Sequence, residues 1–110
     1  MDSPGREPEI LTGLASAGCN IIAFATGRGA PQGFPFVPVT KITGNERTWR
    51  SLKDHMDIYV GTIFEGKELL PEAGRRIFKE LLEYASGKLT KAEISGYTNA
   101  MDIYVLGPVI

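Results

Sequence analysis

A glycine-rich loop that carries one arginine is the stretch of this sequence best suited to bind a ligand. Thr26-Gly27-Arg28-Gly29 directly follows the apolar run Ile21–Ala25. Glycines leave backbone N–H groups accessible, threonine adds a hydroxyl group, and a guanidinium group binds a carboxylate or phosphate through paired hydrogen bonds. The spacing predicts an anion-binding loop, and it is equally compatible with a structural turn in which Arg28 pairs with a neighbouring carboxylate or crosses an interface.

Further polar residues are placed to face the same crevice. Lys41 and Asn45 lie near the end of a second apolar run, and Asp57 opens a third. Each also has a simpler structural explanation: solvation for Lys41, helix capping for Asn45, and a hydrogen bond to the preceding turn for Asp57. The residues predicted to bind a substrate are Thr26, Gly27, Arg28, Gly29, Asn45 and Asp57.

No complete set of catalytic residues is evident, so the catalytic residues stay unassigned. Cys19 begins a strand that is predicted to be buried, where a cysteine is usually a small inert hydrophobe, and no pattern places His55 beside it as a base. With one cysteine and one histidine, a zinc site of the usual kind cannot be assembled from this chain. We therefore predict no metal site and no cofactor within it.

Charge and composition disfavour several classes of function. Lysine and arginine total 12 against 13 acidic residues, a net charge of −1, which gives no basic surface for nucleic acid or an anionic membrane. The glycine loop lacks both the Lys-Ser/Thr ending of a phosphate-binding P-loop and a helix starting directly after it, which disfavours a nucleotide-binding module. No apolar run is long enough for a membrane span, and a single cysteine favours a reducing compartment, so we expect a cytoplasmic protein.

Apolar runs alternate with helical patterns, which indicates an α/β domain that positions the loop at the carboxyl edge of its sheet. The predicted helices are 8–17, 46–55, 71–86 and one turn starting at Thr90, and the predicted strands are 19–26, 37–42, 57–63 and 100–106. Because residues 21–25 of the strand predicted at 19–26 are all apolar, we expect this strand to be covered on both faces, as in a parallel sheet. The expected fold is a single domain over residues 1–110, Rossmann-like, with two or three layers and a mainly parallel sheet of three or four strands.

The longest helix is predicted to be amphipathic. Its core-facing stripe would consist of Leu70, Gly74, Ile77, Phe78, Leu81, Tyr84 and Ala85. The charged residues Arg75, Arg76, Lys79, Glu80 and Glu83 would then form a solvated face.

Several motifs resemble one enzyme family. They are Thr12-Gly13 to Gly18, Asn20 to Gly29 with Pro31 and Gly33, Pro38 to Ile42 with Asn45, Met56 to Ile58 with Gly61 to Ile63, Gly66, Glu72 to Gly74, and Ala85 to Gly87 with Thr90 to Glu93. Together they resemble the C-terminal region of the altronate/galactarate dehydratases, which are sugar-acid hydro-lyases. The resemblance covers nearly the whole chain.

This resemblance implies an activity that the chain supports only in part. Such enzymes convert a sugar acid to a 2-keto-3-deoxy acid, typically with iron(II) or another divalent metal. Met1 to Pro4 resembles an internal motif of the family, so the chain is expected to be the C-terminal fragment of a larger dehydratase, which we expect to be a homo-oligomer. Metal and base would belong to the remaining N-terminal region, and the isolated domain is expected to be inactive.

Three positions around the loop depart from the family pattern. Ala25 and Ala30 stand where threonines are usual, and Tyr59 stands where asparagine is frequent. These departures leave the sugar acid open, and a related sulfo-lyase acting on sulfolactate remains an alternative. A second alternative is a non-catalytic oligomerisation or structural module.

Overall fold

The structure is a computed structural model that describes residues 5–98 and 101–103. Its elements, in chain order, are α1 (Glu7–Ser16), β1 (Ile22–Ala25), β2 (Val39–Thr43), α2 (Glu46–Ser51), β3 (Ile58–Tyr59), a 3-10 turn (Gly61–Ile63), α3 (Leu70–Ala85) and α4 (Lys91–Ser95). The three strands form one parallel sheet in the order β1-β2-β3, which confirms the predicted α/β class. Of the strand predicted at 100–106, residues 101–103 have no regular structure and the rest lies outside the described residues.

The register of the sheet brings the ends of its strands to one edge. Ala25 of β1 pairs with Ile42 of β2, and Ile42 pairs with Ile58 of β3. The pairing continues one step beyond β1, where the backbone N–H of Thr26 donates to the carbonyl oxygen of Ile42 at 2.9 Å. The glycine loop therefore starts at the carboxyl edge, as predicted.

The core lies between α1, the first two strands and the long connection that joins them. Leu11, Ile22 and Val39 are buried, and Phe34 from the connection packs in the same cluster. Cys19 lies partly buried against this cluster, consistent with its predicted structural role. The connection between β1 and β2 is thus anchored by its own apolar side chains.

Two predicted features of the strands are wrong. β1 is not covered on both faces, because Ala23 and Ala25 are exposed on the side that no described element covers. β3 is much shorter than the predicted 57–63, because the backbone leaves the extended conformation at Val60 (φ −123°, ψ 10°) and enters the 3-10 turn.

Helix ends follow local sequence signals closely. Proline occupies the first turn of α1 and of α3, and Gly18 and Gly87, with φ of 91° and 107°, follow their ends in the left-handed conformation. α2 is the exception, since it ends at Ser51 and not near His55: Leu52 already has non-helical angles (φ −118°, ψ 36°).

The predicted apolar stripe of α3 is only partly correct. Tyr84 is buried and Ile77 and Leu81 are partly buried, whereas Leu70 and Phe78 are 72% and 64% exposed. Ala73, which was not in the predicted stripe, is buried instead. The rotation of the helix is fixed by Arg76, which was predicted to lie on a solvated face. Its guanidinium group donates to both carboxylate oxygens of Glu68 at 2.9 and 2.8 Å and to the carbonyl oxygen of Tyr59 at 3.0 Å. Among the described residues, no helix is long and apolar enough to cross a membrane.

Candidate functional site

The glycine loop folds back on itself through a short hydrogen bond. The backbone N–H of Gly29 donates to the hydroxyl oxygen of Thr26 at 3.1 Å. Gly29 has a φ of 96°, which glycine adopts without strain, and a side chain there would collide with Leu52. The turn places the side chain of Arg28 at the surface.

Helix α2 holds this loop from the next strand end. The carbonyl oxygen of Gly27 accepts hydrogen bonds from the hydroxyl group of Thr48 at 2.7 Å and from the amide nitrogen of Asn45 at 2.9 Å. The other atom of the Asn45 amide, Oδ1, accepts from the backbone N–H groups of Arg47 at 3.0 Å and Thr48 at 3.3 Å. Asn45 therefore caps α2, as predicted, and also ties the loop to it.

Loop and helix together form an open cleft of about 410 Å³. Its lining residues are Arg28, Asn45, Arg47, Thr48, Ser51 and Leu52. Because Asn45 and Thr48 already bind the loop backbone, the polar side chains left to contact a ligand are Arg28, Arg47 and Ser51.

The two arginines of the cleft differ from most others in the chain. Arg6, Arg50 and Arg76 each form an ion pair with a carboxylate. Within the described residues, Arg28, Arg47 and Arg75 have no such partner, and Arg75 lies apart on α3. The cleft therefore brings together two guanidinium groups whose charge no described carboxylate compensates, an arrangement that attracts anions.

Comparison with known proteins supports the resemblance carried by these motifs. Residues 1–108 match the family model described as D-galactarate/Altronate dehydratase, C-terminal. The chain belongs to this family.

Curated relatives of this dehydratase-family domain are much longer than the chain itself. The sequence is 36% identical over 97 residues to the (2R)-sulfolactate sulfo-lyase subunit beta of Chromohalobacter salexigens, covering 88% of the chain and 25% of the relative. It is 34% identical over 90 residues to the altronate dehydratase of Escherichia coli, covering 82% of the chain and 18% of the relative. It is 35% identical over 99 residues to the galactarate dehydratase (L-threo-forming) of the same organism, covering 89% of the chain and 19% of the relative. The chain thus spans a quarter or less of the length of these relatives.

Within this dehydratase-family domain, Asp57 lies apart from the predicted site. Its two carboxylate oxygens accept hydrogen bonds from the backbone N–H groups of Lys41 at 2.8 Å and Lys91 at 2.9 Å. Burial raises the pKa of this carboxyl group, and the two N–H donors oppose that rise. Asp57 does not line the cleft; it joins β2 to the start of α4. Of the six predicted residues, the four of the glycine loop lie beside Asn45, and Asp57 lies outside the cleft.

Lys41 is neither solvated nor in the crevice, contrary to both explanations offered by the sequence. Its side chain is fully buried, paired with Glu7 of α1, and its Nζ lies 4.3 Å from the ring centroid of Phe24. Burial lowers the pKa of Lys41, while Glu7 acts in the opposite direction. Lys41 attaches α1 to the sheet.

Two cleft residues escaped the sequence analysis. Arg47 and Ser51 are four residues apart, so they lie on one face of α2, directly after the cap Asn45. This spacing, directly after the recognised cap Asn45, is the sequence pattern that could have identified them as cleft residues. Within residues 5–98 and 101–103, no three histidine, cysteine, aspartate or glutamate side chains gather in a group that could hold a metal ion.

Proposed function

We propose that this chain is the C-terminal domain of a sugar-acid dehydratase of the altronate/galactarate type, and that its glycine loop binds the substrate carboxylate. Membership of the family supports the first part. The relatives named as altronate and galactarate dehydratases support a carbon–oxygen lyase that forms a 2-keto-3-deoxy acid. Because one relative is named as a sulfolactate sulfo-lyase subunit, a carbon–sulfur lyase is the alternative activity.

The observation that carries the second part is the position of Arg28. Its loop is fixed by the two hydrogen bonds to the Gly27 carbonyl, and its guanidinium group has no carboxylate partner among the described residues. A fixed, unpaired guanidinium group beside an open cleft is suited to bind a carboxylate through two parallel hydrogen bonds. The N–H groups of Thr26 and Gly29 are already bonded to Ile42 and to the Thr26 hydroxyl group, so the guanidinium group is the donor on which the proposed binding relies.

Binding at this point also assists the chemistry of dehydration. Removing the proton next to the carboxylate and expelling the hydroxyl group one carbon further releases water and leaves an enol that becomes the keto acid. Negative charge grows on the carboxylate oxygens as the proton departs, and a guanidinium group already in contact with them stabilises that charge. Arg28 would bind and orient, and the proton would be taken by a base from another part of the enzyme.

We further propose that the full-length enzyme uses a divalent metal, iron(II), held by its N-terminal region and not by this chain. When bound, such a metal polarises the carboxylate and the neighbouring hydroxyl group. The single cysteine, Cys19, supports a reducing compartment such as the cytoplasm.

The test is Arg28→Ala in an enzyme that carries this chain as its C-terminal domain. Losing one charge-assisted hydrogen-bonding group costs about 1.5–3 kcal/mol, so KM for the sugar acid should rise roughly 10- to 100-fold. Arg75→Ala is the matched control, since it removes an unpaired arginine from α3. An unchanged KM for Arg28→Ala contradicts the loop's role. The isolated chain should show no turnover, and turnover would place the base and metal within it.

A second function, assembly, is favoured by a specific surface. Around α3 and the turns that flank it, large apolar side chains are more than half exposed: Phe64, Leu69, Leu70, Phe78, Leu82 and Leu89. An exposed apolar surface of this kind marks a contact with another domain or subunit. If the chain acts only in assembly, Phe78→Glu should change the sedimentation behaviour of the enzyme, and Arg28→Ala should leave KM unchanged.

A further inference from the structure

A second cleft adjoins the one that contains Arg28. It has a volume of about 330 Å³ and is lined by Glu46, Arg47, Arg50 and Ser51. Arg47 and Ser51 line both clefts, so the two form one surface that follows the exposed side of α2. Together they offer room for an extended ligand, since small-molecule sites are commonly 300–1,000 Å³.

The charges along this surface do not cancel. Glu46 forms its ion pair with Arg50, so these two charges compensate each other. That leaves the guanidinium groups of Arg28 and Arg47 unpaired within the described residues. Arg47 keeps its side chain free because the Asn45 cap uses only its backbone N–H. The surface therefore carries two uncompensated positive charges on separate residues.

We propose that this site selects an acid with two separate negative charges, one bound by Arg28 and the other by Arg47. The proposal rests on the proposed function, and it narrows the substrate class to a dianion with an anionic group at each end. A monoanion can neutralise only one of the two guanidinium groups and leaves the other in the cleft without a partner. Ser51, whose hydroxyl group has no partner in the described structure, lines both clefts and can bind a hydroxyl group of the ligand.

The experiment compares two acids of identical hydroxyl configuration that differ at one carbon. Galactarate carries a carboxylate at each end, and galactonate carries a carboxylate at one end. Each is titrated into the 110-residue chain and into Arg28→Ala, Arg47→Ala and Arg75→Ala variants, with binding followed by isothermal calorimetry. Thermal unfolding of each variant shows that it remains folded, and sodium sulfate serves as a compact dianion.

We expect galactarate to bind at least tenfold more tightly than galactonate. Arg47→Ala should abolish that difference by weakening galactarate alone, Arg28→Ala should weaken both acids, and Arg75→Ala should change neither. Sulfate, whose two charges share one compact group, should bind at least tenfold more weakly than galactarate, whose charges lie at its two ends.

Other outcomes overturn distinct parts of the argument. The dianion proposal is overturned if the two acids bind equally, Arg47→Ala has no effect and Arg28→Ala weakens the binding of both. That result leaves the proposed function standing. Sulfate binding as tight as galactarate overturns the two-ended arrangement. Failure of both acids to bind, or insensitivity of both to Arg28→Ala, overturns the proposed role of the glycine loop in binding the substrate carboxylate.

Discussion

The hydroxyl group of Thr48 donates a 2.7 Å hydrogen bond to the carbonyl oxygen of Gly27, across 21 positions of sequence. This bond joins the loop after β1 to the helix after β2. Because Thr48 is buried, the bond is shielded from competing water. The position of Arg28 therefore depends on a residue that does not itself have to touch a ligand.

Thr48→Val, which replaces the hydroxyl group by a methyl group of similar size, should loosen the loop. We expect it to destabilise the chain by about 1–2 kcal/mol, because the Gly27 carbonyl loses one of its two donors. Anion affinity should fall several-fold in calorimetric titration, with the enthalpy of binding reduced. Thr48→Ser keeps the hydroxyl group and should restore most of the affinity. Equal affinity of the valine and serine variants would show that the bond does not position Arg28.

Two glycines should respond to alanine with opposite signs. An added Cβ at Gly33 would lie 2.7 Å from the Cβ of Ala92 and 3.1 Å from Cγ2 of Thr98, so Gly33→Ala should destabilise the chain by about 1–3 kcal/mol. At Gly74, on the exposed side of α3, a Cβ meets no atom within 4 Å. Gly74→Ala should stabilise by about 0.5–1 kcal/mol through the higher helix propensity of alanine. Urea unfolding of both variants measures the change in the free energy of unfolding. A change of the same sign in both variants would contradict the packing described at Gly33.

Removing only Glu7 from the Lys41–Glu7 pair should destabilise the chain more than removing both charges, as for other buried ion pairs. Glu7→Gln leaves the Lys41 ammonium buried beside Phe24 without its partner, which we expect to cost about 2–3 kcal/mol, less than for a fully enclosed pair because water reaches part of Glu7. Lys41→Met in the same chain removes the stranded charge and should recover most of the loss. Lys53→Met, at an exposed lysine, is the control. A double variant no more stable than Glu7→Gln would contradict this account.

The same lysine predicts a direction of pH dependence. Because burial lowers the pKa of Lys41 below 10.5, the folded chain binds fewer protons than the unfolded chain between the lowered pKa and 10.5. The contribution of Lys41 to the free energy of unfolding therefore rises with pH through that window. Relative to Lys41→Met, the unchanged chain should gain stability as the pH rises, as measured by urea unfolding in alkaline buffers. A difference that stays constant would mean that Lys41 keeps an ordinary pKa.

On the acid side, Glu68 should dominate one part of the pH profile. Hydrogen bonds from Arg76 and Thr62 lower the pKa of Glu68 to about 2. The stabilisation from this carboxylate is complete above the unfolded value of 4.5 and is lost as the pH falls from 4.5 through 2. Glu68→Gln should flatten the fall in stability over that window, whereas Glu83→Gln, in the exposed pair with Lys88, should not. If the unchanged chain and both variants lost stability in parallel as the pH fell, the role assigned to Glu68 would be contradicted.

Features fixed by neighbouring residues were predictable from the sequence. Asn45 caps α2, Thr90 and Glu93 cap α4, and Gly18 follows α1 in the left-handed conformation. Each depends on bonds that span at most four residues, so a short sequence pattern contains most of the information.

Features that depend on distant partners were not predictable. Lys41 is buried because Glu7, 34 residues earlier, supplies a carboxylate. The rotation of α3 follows from the bonds between Arg76 and Glu68 and the Tyr59 carbonyl, and not from its apolar residues alone. Arg47 was missed for a similar reason: its role becomes visible only once the loop carrying Arg28 is seen to lie against α2.

The two hydrogen bonds of Asp57 have a consequence for the order in which the chain assembles. They join its carboxylate to residues 16 positions earlier and 34 positions later, so the second bond closes the longer segment. Closing that longer segment costs more chain entropy, which favours its closure after the sheet has formed. We expect α4 to dock late, so that weakening its contacts accelerates unfolding and leaves the folding rate almost unchanged.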